Sequence, residues 1–335
     1  MSWKNTQQTS LADALATQHS ALKELDEVHA LIDWNRIEHL LGDVNANKKG
    51  EQAWPPLMMF RAMLLQSWYN LSDPQLEKQL ARDLLFRRFV GLSLASAVPD
   101  HSTLWRFRNN PKIVALQDKL LQSINEQLAE KSLLIKEGTI SIVDASVIKA
   151  QRNRPKKDKN GNNSQDPEAA YNVKAGSDGK VTTTYGYKAH VNVNVDEDGF
   201  VKAMEMTAGN VHDSQVFTEL LSGDEEAVYA DSAYASGKTD EWLKEKKIEN
   251  GVLNRAYRNK PLTEKQKQRN KLLSRTRYIV ERFFGIAKLH YGMAKARYLG
   301  LARNKMRVAI ICMASNIKRG ANLQREIGQR QESYV

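Results

Sequence analysis

The chain has 335 residues, 41% hydrophobic and 27% charged, and 50 Lys and Arg against 39 Asp and Glu give a formal net charge of +11. No apolar run approaches the roughly 18 residues of a membrane span, so no membrane partner is expected, and a single cysteine, Cys312, excludes an internal disulfide framework and a cysteine-rich zinc site. Length favours about two domains, and the opening MSWKNTQQTS, with neither a basic start nor an apolar stretch, argues against secretion and for the cytoplasm.

Residues 1–135 read as a helical domain. LADALATQHSALKELDEVHALI and VALQDKLLQSINEQLAEKSLLI carry apolar residues at three- and four-residue spacing. LSDPQLEKQLARDLLFRRFVGL opens on a cap signal, Ser72 and Asp73 before Pro74, and runs towards Gly91. In VPDHSTLWRFRNN, Asp100 or Ser102 can cap a short helix bearing Arg106 and Arg108. The two together form a candidate helix-turn-helix, with Arg106 and Arg108 as candidates for base or phosphate contact. Trp54, Trp68 and Trp105 are expected in the core rather than as base-stacking platforms.

From residue 139 the pattern changes to α/β. TISIVDASVI reads as a strand with Asp144 at its end. QRNRPKKDKNGNNSQDPEAA follows as a polar, mobile loop, and its basic part, Lys149–Lys159, reads equally as a DNA clamp or as solvated chain. YGYKAHVNVNV and FVKAMEMTA, joined by DEDG, read as a hairpin. In its first arm Lys188, His190, Asn192 and Asn194 share one face. Lys188 and His190 there either reach a phosphate or the surroundings of a metal, or simply face solvent. VHDSQVFTELL is expected as a helix capped by Asp213, and EEAVYADSAYA as a short strand ending in Asp231. ASGKTDEWLKEKK reads as a helix, IENGVLNRA as a strand and SRTRYIVERFFGIAKLHYG as a long helix. The residues after 320 read as a polar tail.

The positive charge is concentrated. Between Arg255 and Arg307 sixteen Lys and Arg face two acids, Glu264 and Glu281, so that segment carries +14 and the remainder −3. A polyanion partner explains such a block, because bases that neutralise phosphates release counterions; a solvated basic helix pair explains it less directly.

The order from residue 139, three strands and then alternating helices and strands, is ribonuclease H-like. It sets Asp144 and Asp231 at neighbouring strand ends, where open α/β sheets place their ligands. A third carboxylate comes from the long helix. There Val280, Phe284, Ala287 and Tyr291 would face the core, and Arg277, Glu281 and Lys288 form an adjoining stripe. Three carboxylates in one place repel each other unless hard cations join them, and phosphodiester cleavage uses such cations.

On these motifs the sequence resembles the DDE transposases of bacterial insertion sequences, of the insertion-sequence-five type within the broader four/five-like group. The matching stretches are VDASVI around Asp144, GYKAHVNVNVD, TAGNVHD, VYADSAY around Asp231, and RNKPLTEKQKQRNKLLSRTRYIVERFFG around Glu281, with LSDPQLE and PDHSTLWRFRN in the helical leader. The likeness extends from about Leu31 to Asn316, and its most specific element is the Arg–x3–Glu–x6–Lys spacing at 277–288. The resemblance implies a ribonuclease H-like catalytic domain over 136–320, preceded by a helical domain that binds element ends or dimerises. It implies that Asp144, Asp231 and Glu281 are catalytic and bind Mg²⁺, as two ions for which Mn²⁺ can substitute, and that Arg277 and Lys288 touch DNA phosphates. Double-stranded DNA, as terminal inverted repeats and as target, is the implied partner, handled by a homodimer or larger assembly. Relatives carry a Tyr three positions before the Arg; Ser274 stands there instead, which puts a hairpin-forming step in question. The competing readings are a ribonuclease H-like nuclease or resolvase, and a DNA-binding repressor without chemistry.

Overall fold

A computed structural model describes residues 19–44, 52–134, 140–152, 159, 165–175, 180–195, 199–256 and 261–332. The chain divides into two compact units, one of Met1–Leu133 with Ala309–Val335, the other of Leu134–Val308.

The first unit is helical. It contains α1 (Asp26–Leu31), α2 (Trp34–Leu40), α3 (Pro56–Trp68), α4 (Asp73–Arg82), α5 (Leu84–Val90), α6 (His101–Arg108) and α7 (Pro111–Glu130), together with α11 (Leu301–Glu332) from Ala309 onward. In α7 the residues Ile113, Leu120, Leu121, Ile124 and Leu128 are buried, the inward stripe that the three- and four-residue spacing requires. A Cβ on Gly320 of α11 would lie 2.6 Å from the end of the Leu128 side chain, which would have to shift, so glycine lets α11 pack close to α7 there. The expected polar tail after residue 320 is therefore a correction: the chain stays helical through Glu332 and belongs with the N-terminal helices, with Arg325 paired to Glu27.

The stretch expected as one helix after Ser72 is two. Ser72 forms a capping box with Gln75, but Asp83 takes an extended conformation and its carboxylate accepts the Leu85 and Phe86 N–H groups, starting α5 anew. Asp100 caps α6 through the Thr103 N–H at 2.6 Å. Trp68, half-buried, packs edge-on to Phe89 at 5.5 Å and donates to the Ala314 carbonyl. Trp105, expected in the core, is 39% exposed on α6 beside the exposed Arg106.

Arg108 does not reach a partner outside the protein. It is 2% exposed and is held by Asp73 at 2.5 Å and Gln66 at 2.8 Å, so its candidacy as a DNA contact is withdrawn. Arg108→Ala is expected to cost stability, about 3–5 kcal/mol, because it strands the Asp73 charge. Arg106→Ala, on the open face of the same helix, should leave stability unchanged. Urea unfolding of both variants decides this, and equal small losses would contradict the assignment.

The second unit is built on a mixed sheet of ribonuclease H-like order. Its strands are β1 (Ile140–Lys149), β2 (Ala170–Ala175), β3 (Val181–Asn194), β4 (Val201–Ala208), β5 (Ala227–Ala230) and β6 (Glu249–Val252). β3 lies between β1 and β4, antiparallel to both, and β1 continues through parallel β5 to parallel β6. β2 pairs with the N-terminal end of β3, from Val181 to Gly186. The helices are α8 (Gly237–Glu245), α9 (Glu264–Leu273) and α10 (Tyr278–Leu289). VHDSQVFTELL forms no helix but two short 3-10 turns, Asp213–Gln215 and Thr218–Leu220, and the first is capped by His212 rather than by Asp213.

Both faces of the β1–β3 pair are covered. Val143, Val228, Ala230 and Tyr234 pack with Leu243 of α8 on one side. On the other, α10 buries Ile279, Val280, Phe283, Phe284 and Ala287. Gly199, in the turn before β4, has φ +61°, and a Cβ there would come within 2.4 Å of Ile279, so glycine seats the hairpin under the start of α10. Among the described residues no helix is long and apolar enough to cross a membrane.

Candidate active site

Asp144 does not end its strand. β1 runs on to Lys149; its parallel neighbour β5 stops at Ala230, which pairs with Val143. Asp144 is the first β1 residue past that last pair, and Asp231 is the first residue past the end of β5. Both carboxylates therefore stand level, side by side, at the place where a cleft opens because one strand outlasts the other. Alternation along each strand puts Asp144 on the face of Ile142 and Asp231 on the face of its partner Tyr229, the side covered by α10.

The two aspartates are oriented alike. Asp144 Oδ1 accepts the N–H of Ala145 at 2.9 Å and Asp231 Oδ1 that of Ser232 at 2.6 Å. Each residue's second oxygen turns to one guanidinium: Arg277 Nη2 lies 2.8 Å from Asp144 Oδ2, and its Nη1 3.8 Å from Asp231 Oδ2. Glu281, one turn along α10, brings Oε1 to 4.0 Å from the same Nη2. A single cation thus stands among the three candidate acids. Among the described residues no three such groups lie close enough to grip one metal ion as they stand, a spacing that suits the width of a guanidinium. The donor set, three hard carboxylates with two oxygens already aimed at a positive charge, suits a hard divalent cation.

Burial orders the three acids. The Asp144 side chain is 13% exposed, that of Asp231 40% and that of Glu281 64%. Desolvation raises the Asp144 carboxyl above its ordinary range, against the Arg277 charge and its hydrogen bond. Nearby acids hold Arg277 above its ordinary value in spite of burial.

These groups line an open cleft of about 830 Å³ that also takes in Asn172, Lys174, Lys188, His212, Arg255 and Lys288. Lys288 thus sits where the helix stripe placed it. Lys188 lines the cleft but its ammonium is engaged by Asp213 at 2.8 Å and the Val211 carbonyl at 2.9 Å. Asn172 and Lys174 belong to β2, a strand in a stretch to which the sequence pattern assigns no element. Its alternation, with Tyr171 and Val173 exposed, shows only once β3 is seen to overhang its neighbours.

His190 is a correction. The supposed polar face of β3 is buried, with Asn192 and Asn194 at 1% and His190 at 0% exposure. The imidazole shares a hydrogen bond with Thr207 at 2.9 Å and lies 3.4 Å from the Tyr234 hydroxyl, so it cannot touch DNA. Desolvation pushes its pKa down to about 4, with Asp213 opposing and Lys188 assisting. The unfolded chain then takes up this proton near pH 6.5 and the folded one only near 4. Stability present above about pH 6.5 is lost as pH falls through that interval, by roughly 3 kcal/mol in all. His190→Gln should flatten this part of the acid-unfolding curve. An unchanged slope between pH 6.5 and 4 would mean that other groups set it.

The basic block divides on folding. Arg307 is 8% exposed and donates to the carbonyls of Tyr291, Gly292 and Lys295. Arg269 caps the carbonyls of Asn250 and Val252, and Lys305 pairs with Glu205 at 2.7 Å. Part of the charge is therefore structural, which a count along the sequence cannot separate. Residues 257–260 of the block, and 153–158 of the expected basic loop, lie outside the described residues.

Two solved structures resemble the chain distantly. One is a cryo-EM structure of the piggyBac transposase synaptic complex with hairpin DNA, at 10% identity and a TM-score of 0.39 over 94% of this chain and 76% of that one. The other is a crystal structure of the Mos1 strand transfer complex, at 12% identity and a TM-score of 0.19 over 86% and 84%. Family models match two adjoining regions, a transposase domain (DUF772) over residues 11–110 and the transposase DDE domain over residues 135–317. The second match takes in Asp144, Asp231 and Glu281 and more than half of the chain, which belongs to the DDE transposase family.

Proposed function

We propose that this transposase cuts DNA at the ends of a bacterial insertion sequence of the five type and joins those ends to target DNA, with Asp144, Asp231 and Glu281 as its catalytic acids. The observation that carries this reading is the convergence of the two aspartate Oδ2 atoms on one positive charge, with Glu281 4.0 Å away. Three carboxylates from three elements have no structural need to meet. Divalent cations, two Mg²⁺ with Mn²⁺ able to substitute, supply an activated water or hydroxyl and stabilise the leaving oxygen when bound.

The chain's own residues provide the rest. The Ala145 and Ser232 N–H groups fix the rotamers of the two aspartates, so little reorganisation is needed when cations arrive. Lys288 faces the phosphates, and Arg277 does so once its carboxylates take other partners. In the helical unit, the open face of α6, with Trp105 and Arg106, is the candidate reader of element ends. A homodimer or larger assembly in the cytoplasm fits the need to hold two ends together. Incubating the full chain with end DNA and Mg²⁺ or Mn²⁺ tests the reading through metal-dependent nicking. Tight end binding without nicking in either metal would instead identify a non-catalytic DNA-binding protein.

A further inference from the structure

The cleft holds more bases than the acids account for. Arg277 is spent on the carboxylates, Lys188 on Asp213, and Arg255 lies 3.5 Å from the His212 ring. Lys174 and Lys288 remain. They reach the cleft from β2 and α10, and among the described residues neither is in ion-pair contact with a carboxylate. Lys149, at the end of β1, is exposed close by, and the backbone pairing of Lys149 with the segment at Lys295 fixes its position.

Lys149 and Lys174 are exposed and Lys288 is half-buried, and three like charges from three elements in one place are unfavourable by themselves. The strain registers on Lys288, whose pKa is lowered first by burial and then by the charges of Lys174 and Lys149; Asp144, acting the other way, is already held by Arg277. β2 adds a second sign. Its Val173 is 63% exposed and its Tyr171, which packs on the Tyr185 ring at 4.9 Å, is 46% exposed, so core packing explains little of the strand. What it does is form a wall of the cleft, with Asn172 and Lys174 on one face by alternation. Such a wall suits a polyanion whose phosphates compensate the lysines.

We propose that Lys174, with Lys149 beside it, joins Lys288 in binding a backbone phosphate of the DNA strand next to the three carboxylates, and that β2 is a DNA-positioning arm of the cleft. This rests on the reading of the cleft as the site of strand cleavage. The test uses the full chain and a short labelled DNA duplex, with affinity measured by fluorescence anisotropy across a range of salt and no metal present. Lys174→Gln should lower the slope of log affinity against log salt by about 0.9 and weaken binding roughly fivefold at about 0.15 M salt. Lys174→Arg should restore both, and Lys244→Gln, on the exposed face of α8, should change neither. A wild-type slope in Lys174→Gln, or an equal loss in Lys244→Gln, would overturn the assignment. The readout requires no cleavage. A slope change in a protein that never nicks DNA would therefore uphold the phosphate site and defeat the cleavage reading, and nicking with an unchanged slope would do the reverse.

Discussion

Asp144→Ala, Asp231→Ala and Glu281→Ala are each expected to lower metal-dependent nicking by at least about 10³-fold while duplex affinity falls by no more than about twofold. Affinity for DNA comes from bases that neutralise phosphates and from groove contacts. The carboxylates contribute nothing attractive to that term and repel the backbone until cations arrive. Their contribution is confined to the transition state, in which charge builds on the attacking and leaving oxygens. The three variants should not behave alike without metal. Asp144 is buried and hydrogen-bonded to Arg277, so its removal also frees the guanidinium, and tighter duplex binding in Asp144→Ala is the expected side effect. Glu281, 64% exposed, should show no such effect. Nicking assays and gel shifts on the same preparations measure both quantities. Near-normal nicking by any one variant would remove that residue from the site.

The acids were legible in the sequence because each follows or interrupts an apolar run whose period is unmistakable: Ile140, Ile142 and Val143 before Asp144, AVYA before Asp231, and Val280, Phe284 and Ala287 around Glu281. Periodicity places a residue on a face, and three faces sufficed to bring the carboxylates together. It does not say where a neighbouring strand stops, so Asp144 looked like a strand end when the end belongs to β5. Nor does it say how many layers cover a sheet. Lys188, His190, Asn192 and Asn194 alternate like a solvated face, yet His190 and both asparagines are buried. Asn192 donates to the Leu220 carbonyl and His190 meets Thr207, and partners so distant in sequence leave no local signal. Arg108 was misplaced for the same reason, its partner Asp73 lying 35 residues away. Charge counting found the basic block but not its division, because carbonyl acceptors such as those around Arg307 carry no mark in a sequence.

Arg277→Gln is expected to destabilise the metal-free protein at neutral pH by about 2–3 kcal/mol, less than a fully buried pair would cost because both side chains retain some exposure. It is also expected to enlarge the rise in Tm on adding Mg²⁺. The first effect follows from Asp144, whose carboxyl burial raises above the ordinary 3.8 even with the guanidinium in place. Without Arg277 the shift must grow, since the two favourable contributions of that side chain disappear. A carboxyl whose folded pKa exceeds its unfolded value contributes stability below the unfolded value and loses it as pH rises through the folded one. The penalty in Arg277→Gln should therefore be largest near pH 7 and shrink as the pH falls and Asp144 takes up its proton. The second effect follows from position. The guanidinium lies within 4.0 Å of all three acids, where a divalent cation would be held, so in the wild type metal has to displace an internal cation. In the variant it meets bare carboxylates, and ligand-linked stabilisation grows with affinity. The phosphate-contact role implied for Arg277 by resemblance is compatible with this, because a side chain exchanged off the carboxylates is free to meet the phosphate that comes with the metal. Urea unfolding in chelator across that fall in pH, and thermal unfolding across a Mg²⁺ titration, measure the two effects without DNA or turnover. Equal Mg²⁺-induced shifts in wild type and variant would show that Arg277 does not compete for the metal position.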